Sequence, residues 1–225
     1  MFTSKTLAFL AENRAMNSRE WFGEHKAAYE KYVLEPLRDL ARELAPAVSE
    51  IDDQIVTIPA VDKTISRIWC DVRFSRGMLF REQQWISFRR DKKQFPGWPE
   101  FFIVFSPREL LWGCGYYSIS TETMAVIRRM VVEEHPKFIA AKQALEAQST
   151  FSLNGDSFKR SRYPSYSEDI RAWLDKKNLR FSYETANVRE LFSEDLSETL
   201  KAAFRQMKPI YQFLICAEAL AQADK

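Results

Sequence analysis

The middle of the chain most restricts what it can fold into. Between residues 54 and 118, short runs rich in Ile, Val, Phe and Trp follow one another at 54–61, 65–74, 84–90, 100–106 and 109–118. Pro, Gly and charged clusters separate them, so each reads as a strand. The gaps are too short for parallel crossovers, which take about a dozen residues or more, so antiparallel hairpins are expected. Ser106-Pro107-Arg108-Glu109 supplies one tight turn. Within 65–74, alternation places Ile68, Cys70, Val72 and Phe74 on one face and Arg67, Trp69, Asp71 and Arg73 on the other.

Helical periodicity lies on both sides of this zone. Thr3 is placed to cap a first helix, with Phe2 and Leu7 as a hydrophobic staple. Asn17 is expected to start the second, with Glu20 completing a capping box and Met16 and Trp21 at the staple positions. Trp21, Phe22, Ala28, Tyr29, Tyr32, Val33, Leu37, Leu40, Ala41 and Leu44 recur at helical spacing, and Pro36 should kink them. After residue 120, Ser120, Pro136, Ser165 with Glu168, and Ser193 mark further helix starts. Phe138, Ile139 and Leu145 should face inward, as should Leu196, Leu200, Phe204, Met207, Tyr211 and Leu214 in a last helix bent at Pro209. The expected fold is α+β, a mostly antiparallel sheet at about residues 54–118 flanked by N-terminal and C-terminal helices. No repeat or linker divides the 225 residues, so a single domain spanning 1–225 is expected.

Hydrophobic residues at 46% and charged residues at 28% exclude a disordered or collagenous chain. The longest apolar runs, such as 101–105, fall far short of the about 20 residues of a membrane span. The N-terminus is too interrupted for a secretory signal. Cys70, Cys114 and Cys216 are odd in number and form no C-x-x-C pair, which suits reduced thiols in a cytoplasmic protein. Phosphate-loop, dinucleotide, zinc-protease and serine-hydrolase motifs are all absent. The only histidines, His25 and His135, sit at structural positions, so no metal and no cofactor are expected.

Net charge is only +2, but residues 63–93 carry +6 and the remainder −4. In that stripe, Asp71 beside Arg67 and Arg73 can fix their forks and leave donors free for a phosphate or carboxylate. Trp21 or Trp69 can wall such a site, and Arg160 and Arg162 can join it from the Lys159–Arg162 segment. The same spacing also describes a salt-bridged outer face, worth about 0–1 kcal/mol per pair. The expected function is a cytoplasmic ligand-binding protein with an Arg/Asp site for a small anionic ligand. The alternatives are an enzyme using Asp71 as base, a nucleic-acid binder, which the near-balanced charge disfavours, and a protein-interaction module. Oligomeric state is left open.

Asn17-Ser-Arg-Glu-Trp-Phe22, Tyr29, Pro36 and Ile65-Ser-Arg-Ile-Trp-Cys-Asp-Val-Arg-Phe-Ser75 together resemble an uncharacterised, mainly bacterial family catalogued as domain of unknown function 2461. Trp85-Ile-Ser-Phe-Arg-Arg90, Lys159–Arg162 and Pro209–Leu214 extend the likeness over nearly the whole chain. The resemblance implies a second arginine just before Asp71, where this chain has Cys70, and a lysine soon after Arg73-Phe74-Ser75. Arg76 or Arg81 can stand in for that lysine. The resemblance implies no activity.

Overall fold

Helix formation begins where the caps put it. In the computed structural model, which describes residues 1–71, 73–75 and 77–223, α1 runs Ser4–Met16 behind Thr3. The Thr6 hydroxyl accepts the Thr3 N–H at 3.1 Å, and Phe2 and Leu7 are buried as expected of a staple. The chain continues through α2 (Arg19–Glu24), α3 (Lys26–Tyr29), a π-helical turn at Glu30–Leu34 and α4 (Glu35–Ile51). The π turn lies just ahead of Pro36, which has no N–H for a helical bond to Tyr32. Val33, Leu37, Ala41, Leu44 and Val48 are buried with 1% exposure or less, as the 3.6-residue period requires.

Asn17 does not begin α2. It closes α1 in the left-handed region, at φ 46°, and Ser18 is the cap, accepting the Trp21 N–H at 3.2 Å. Asn tolerates that conformation better than most residues, so the cap shifts by one. Met16 is then 51% exposed and makes no staple.

Among the described residues five strands form one antiparallel sheet in the order β1-β2-β3-β5-β4. They are β1 (Gln84–Phe88), β2 (Glu100–Phe105), β3 (Leu110–Gly115), β4 (Ser152–Asn154) and β5 (Arg180–Thr185). The fold is the expected α+β, with two corrections to the sheet. Among the described residues, 54–61 and 65–74 form no strand. Isolated bridges form there instead, including those joining Val61 to Ile65, Ile65 to Ile86 and Trp69 to Phe80. Side chains satisfy nearby backbone instead: the Thr64 hydroxyl donates to the Ile58 carbonyl at 2.7 Å, and the Trp85 N–H donates to the Ser66 hydroxyl at 3.0 Å. The alternation also ends early, because the chain turns at Asp71, whose carbonyl accepts the Phe74 N–H at 3.0 Å. Ile68 is buried, yet Phe74 is 81% exposed. Val72, expected inward, lies outside the described residues.

The second correction is that β4 and β5 arise in the zone read as helical. β5 is admitted by glycine. A Cβ on Gly113 of β3 would stand 2.0 Å from the Phe181 carbonyl oxygen, so the two backbones approach only because no side chain intervenes.

The remaining elements are α5 (Thr121–Val132), α6 (Pro136–Glu146), α7 (Glu168–Leu174), a 3₁₀ turn (Val188–Phe192), α8 (Leu196–Gln206) and α9 (Lys208–Ala223). Ser120 caps α5 through the Thr123 N–H at 3.0 Å, and Pro136 opens α6. The cap of α7 is Ser167, not Ser165, and Ile139 is 40% exposed rather than inward. Pro209 sits in the first turn of α9, so the expected bend is a break between α8 and α9.

The chain resolves into two compact units. The first comprises Met1–Phe88, Phe102–Trp112 and Glu184–Ala202; the second comprises Arg89–Phe101, Gly113–Tyr183 and the chain from Ala203 on. In the first, α1 and α4 pack on the π turn and on β1 respectively. In the second, α9 packs on α5 and α6, and Phe101 lies 4.9 Å from the rings of both Phe204 and Tyr211. Among the described residues no helix is long and apolar enough to cross a membrane.

Candidate functional site

The candidate residues of the first unit gather on a ribbon between residues 68 and 81. Its two arms are joined by the Cys70 N–H to the Leu79 carbonyl and the Arg81 N–H to the Ile68 carbonyl, both 2.8 Å. Its base is aromatic. The Trp69 ring lies 4.4 Å from Phe80 and 5.2 Å from Phe22 of α2, and Phe80 is fully buried. Its tip is tied to the end of α1. Asn17 donates to the Gly77 carbonyl at 3.1 Å and accepts the Leu79 N–H at 2.7 Å. Arg14 donates to the Phe80 carbonyl, and the same nitrogen lies 3.7 Å from the Cys70 sulfur. Asn17 and Arg14 thus hold the ribbon; from the sequence, Asn17 read as a helix cap and Arg14 carried no signal.

The charges on this ribbon are arranged differently from the strand expectation. Asp71 does not orient both Arg67 and Arg73. Arg67 pairs with Asp62, in the turn before it, a residue held at φ 68°. Among the described residues Asp71 grips Arg73, through Nε at 2.9 Å and an Nη at 2.6 Å, and also accepts the Arg73 backbone N–H at 3.1 Å. These bonds lower the Asp71 carboxyl to about 2, and each arginine is correspondingly raised by its carboxylate. Arg67 and Arg73 have side chains 63% and 76% exposed, so both present their remaining donors to solvent rather than to a cavity. Arg81 donates to the Trp69 carbonyl at 3.0 Å, and its guanidinium carbon lies 4.9 Å from the centre of the Trp85 ring. Arg76 lies outside the described residues.

Trp21 contributes differently. It stacks on His25 at 4.0 Å, and the His25 ring nitrogen meets the Trp21 carbonyl at 2.8 Å, so both are occupied within α2. Arg160 and Arg162 belong to the second unit, where Arg162 lies over the Phe158 ring at 3.9 Å. A cavity of about 310 Å³ also opens in the first unit, lined in part by Phe2, Pro36, Leu40, Leu191 and Ser197, with none of the candidate residues in its wall. It joins segments distant in the chain, which no local pattern signals.

Among the described residues no three His, Cys, Asp or Glu side chains come together as a metal site. His135 accepts the Lys137 N–H at 3.1 Å in a helix cap, and all three cysteines are free thiols. Chemically, the ribbon can offer an oriented guanidinium, a second one beside it on Trp85, and exposed aromatic surface at Phe74.

The chain belongs to the family of conserved hypothetical proteins designated DUF2461, whose profile matches residues 5–213. No curated protein matches it.

Proposed function

We propose that this protein binds a phosphate- or carboxylate-bearing ligand on the ribbon, with Arg73 as the gripping group. The observation that carries this reading is the two-bond Asp71–Arg73 pair on an exposed tip. A guanidinium held by one carboxylate keeps its outer N–H groups in a fixed direction, and a fixed fork loses less entropy when it meets an oxyanion. Arg81, one arm away, adds positive charge, since it too lowers Asp71. The openness of the tip suits an anionic group carried on a larger molecule better than an enclosed metabolite, and the 81% exposed Phe74 offers that molecule apolar contact. The free cysteines suit a reducing cytoplasm, where we place the protein.

The test is a titration of wild type and Arg73→Gln with phosphate, citrate and phosphorylated peptides, followed through ribbon amide shifts. Binding that disappears in Arg73→Gln supports the reading. Binding of equal strength in both proteins, or none to any probe, refutes it.

A further inference from the structure

The second unit holds a group of cations that the ribbon does not use. Three positive side chains meet around Phe158, a half-buried residue between β4 and α7. The guanidinium carbon of Arg162 lies 3.9 Å from the ring centre, that of Arg128 5.5 Å, and the Lys177 ammonium 5.6 Å. They come from α5, from the loop after β4 and from the segment leading to β5, so the fold and not local sequence brings them together.

Arg128 is fixed. Its Nε donates to the Leu174 carbonyl at 3.1 Å and an Nη to the Lys176 carbonyl at 2.8 Å. Leu174 ends α7, where a positive charge is favoured, and Lys176 lies just beyond it. Arg162 lies over the ring and is exposed. Among the described residues none of the three side chains forms an ion pair with a carboxylate. The neighbouring Asp175 uses one oxygen on the Arg162 backbone N–H at 2.9 Å. The Asp156 carbonyl takes the Lys177 backbone N–H at 2.6 Å, while its carboxylate acts on Lys176. An aromatic face attracts one cation, but three around a single ring repel one another. Among the described residues no ion pair supplies the charge that would balance them.

We infer that the Phe158 cluster is a second anion site, separate from the ribbon, and that it takes a phosphate group, either free or as a monoester. Arg162 supplies the fork that matches two phosphate oxygens, Arg128 a preset charge, and Lys177 a third charge on a flexible stem. A dianion answers such a cluster better than a lone carboxylate does.

The experiment is a backbone amide NMR titration of the full chain with inorganic phosphate, glycerol phosphate and sulfate, repeated with Arg162→Gln/Lys177→Gln and with Arg73→Gln. Inorganic phosphate or glycerol phosphate should shift the amides of residues 156–177 in wild type, and the double variant should weaken this by about tenfold or more. Arg73→Gln should leave these shifts unchanged. A preference for glycerol phosphate would identify a monoester site, and a preference for inorganic phosphate a free-ion site. The inference is overturned if residues 156–177 do not respond at about 10 mM phosphate, well above a millimolar dissociation constant. It is also overturned if the double variant binds as wild type does, or if sulfate binds equally well. Loss of all binding in Arg73→Gln alone would support the ribbon and reject this cluster; the converse would reject the ribbon and support the cluster.

Discussion

Thr6→Val probes how the chain accommodates a proline inside its long N-terminal helical run. Pro36 has no N–H to offer the Tyr32 carbonyl one turn earlier. The Thr6 hydroxyl donates to that carbonyl at 2.7 Å from α1, and Thr6 is 0% exposed. Valine preserves the shape and removes the donor. A buried carbonyl left unpaired costs about 1–3 kcal/mol. The Thr3 N–H also loses its acceptor, but Thr3 is exposed and can turn to water. For a chain of this length the loss corresponds to a Tm drop of roughly 2–12 °C, at about 2–4 °C per kcal/mol. Urea unfolding should show a lower midpoint with an unchanged slope. The decisive comparison is the same substitution in a Pro36→Ala background, where residue 36 regains an N–H. There Thr6→Val should cost at least about 1 kcal/mol less, a coupling that a double-mutant cycle reads directly. An equal cost in both backgrounds, or a cost below about 0.5 kcal/mol in the proline form, would refute the reasoning.

Other expectations follow from the same geometry. Gly113→Ala sets a Cβ 2.0 Å from the Phe181 carbonyl oxygen, so β3 and β5 must part; a loss of about 3 kcal/mol or more is expected, and a change under about 1 kcal/mol in urea would contradict it. Asn17→Gly keeps the left-handed turn and loses the two bonds to the ribbon, whereas Asn17→Ala loses both bonds and meets backbone strain; alanine should therefore be the worse by about 1 kcal/mol. Asp71 should titrate at about 2 by carboxyl NMR and return towards the ordinary carboxylate value of about 4 in Arg73→Gln. Because its folded value is depressed, its contribution to stability is present above about pH 4 and is lost as the pH falls towards 2. An unchanged midpoint in Arg73→Gln would show that the pair does not form in solution.

The legible parts of this fold were those with long, local patterns. The stripe from Phe22 to Leu44 repeats over six turns: Phe22, Tyr29, Val33, Leu37, Leu40, Ala41 and Leu44 are buried, while Ala28 and Tyr32 are half-buried. The strands β1 and β2 are dense in β-branched and aromatic residues, and β3, rich in Leu and Trp at its start, follows the Ser106–Glu109 turn. β4 and β5 were illegible because their signal lies elsewhere in the chain: Gly113 and Gly115 leave the space that β5 fills. The arginine region failed for a related reason. Period-2 reading assumes that the strand continues, but Asp71 is also a turn former, and its side chain accepts the N–H two residues on. Once the chain turns there, Arg67 is free to pair with Asp62 instead, and the three-residue constellation separates into two pairs.

Cys70 shows how far this member has moved from the arginine-rich form that its family resemblance implies at that position. Its sulfur lies 3.7 Å from a nitrogen of Arg14, and that nitrogen also holds the Phe80 carbonyl. Cys70→Arg would set a second guanidinium against the first. At about 4 Å and high dielectric, two such charges repel by about 1 kcal/mol, a Tm loss of roughly 2–4 °C. An oxyanion seated between them would reverse the sign, since a ligand at about 100 times its dissociation constant adds about 2.7 kcal/mol. The variant should therefore melt below wild type in chloride and above it in phosphate, with Arg73 required for the difference. If phosphate rescues wild type and variant equally, position 70 faces no ligand, and its cysteine is a packing residue for Arg14. If the variant is less stable in both buffers, the ribbon tip has no room for an anion beside α1, and ligand recognition must run through the outer face of Arg73 alone.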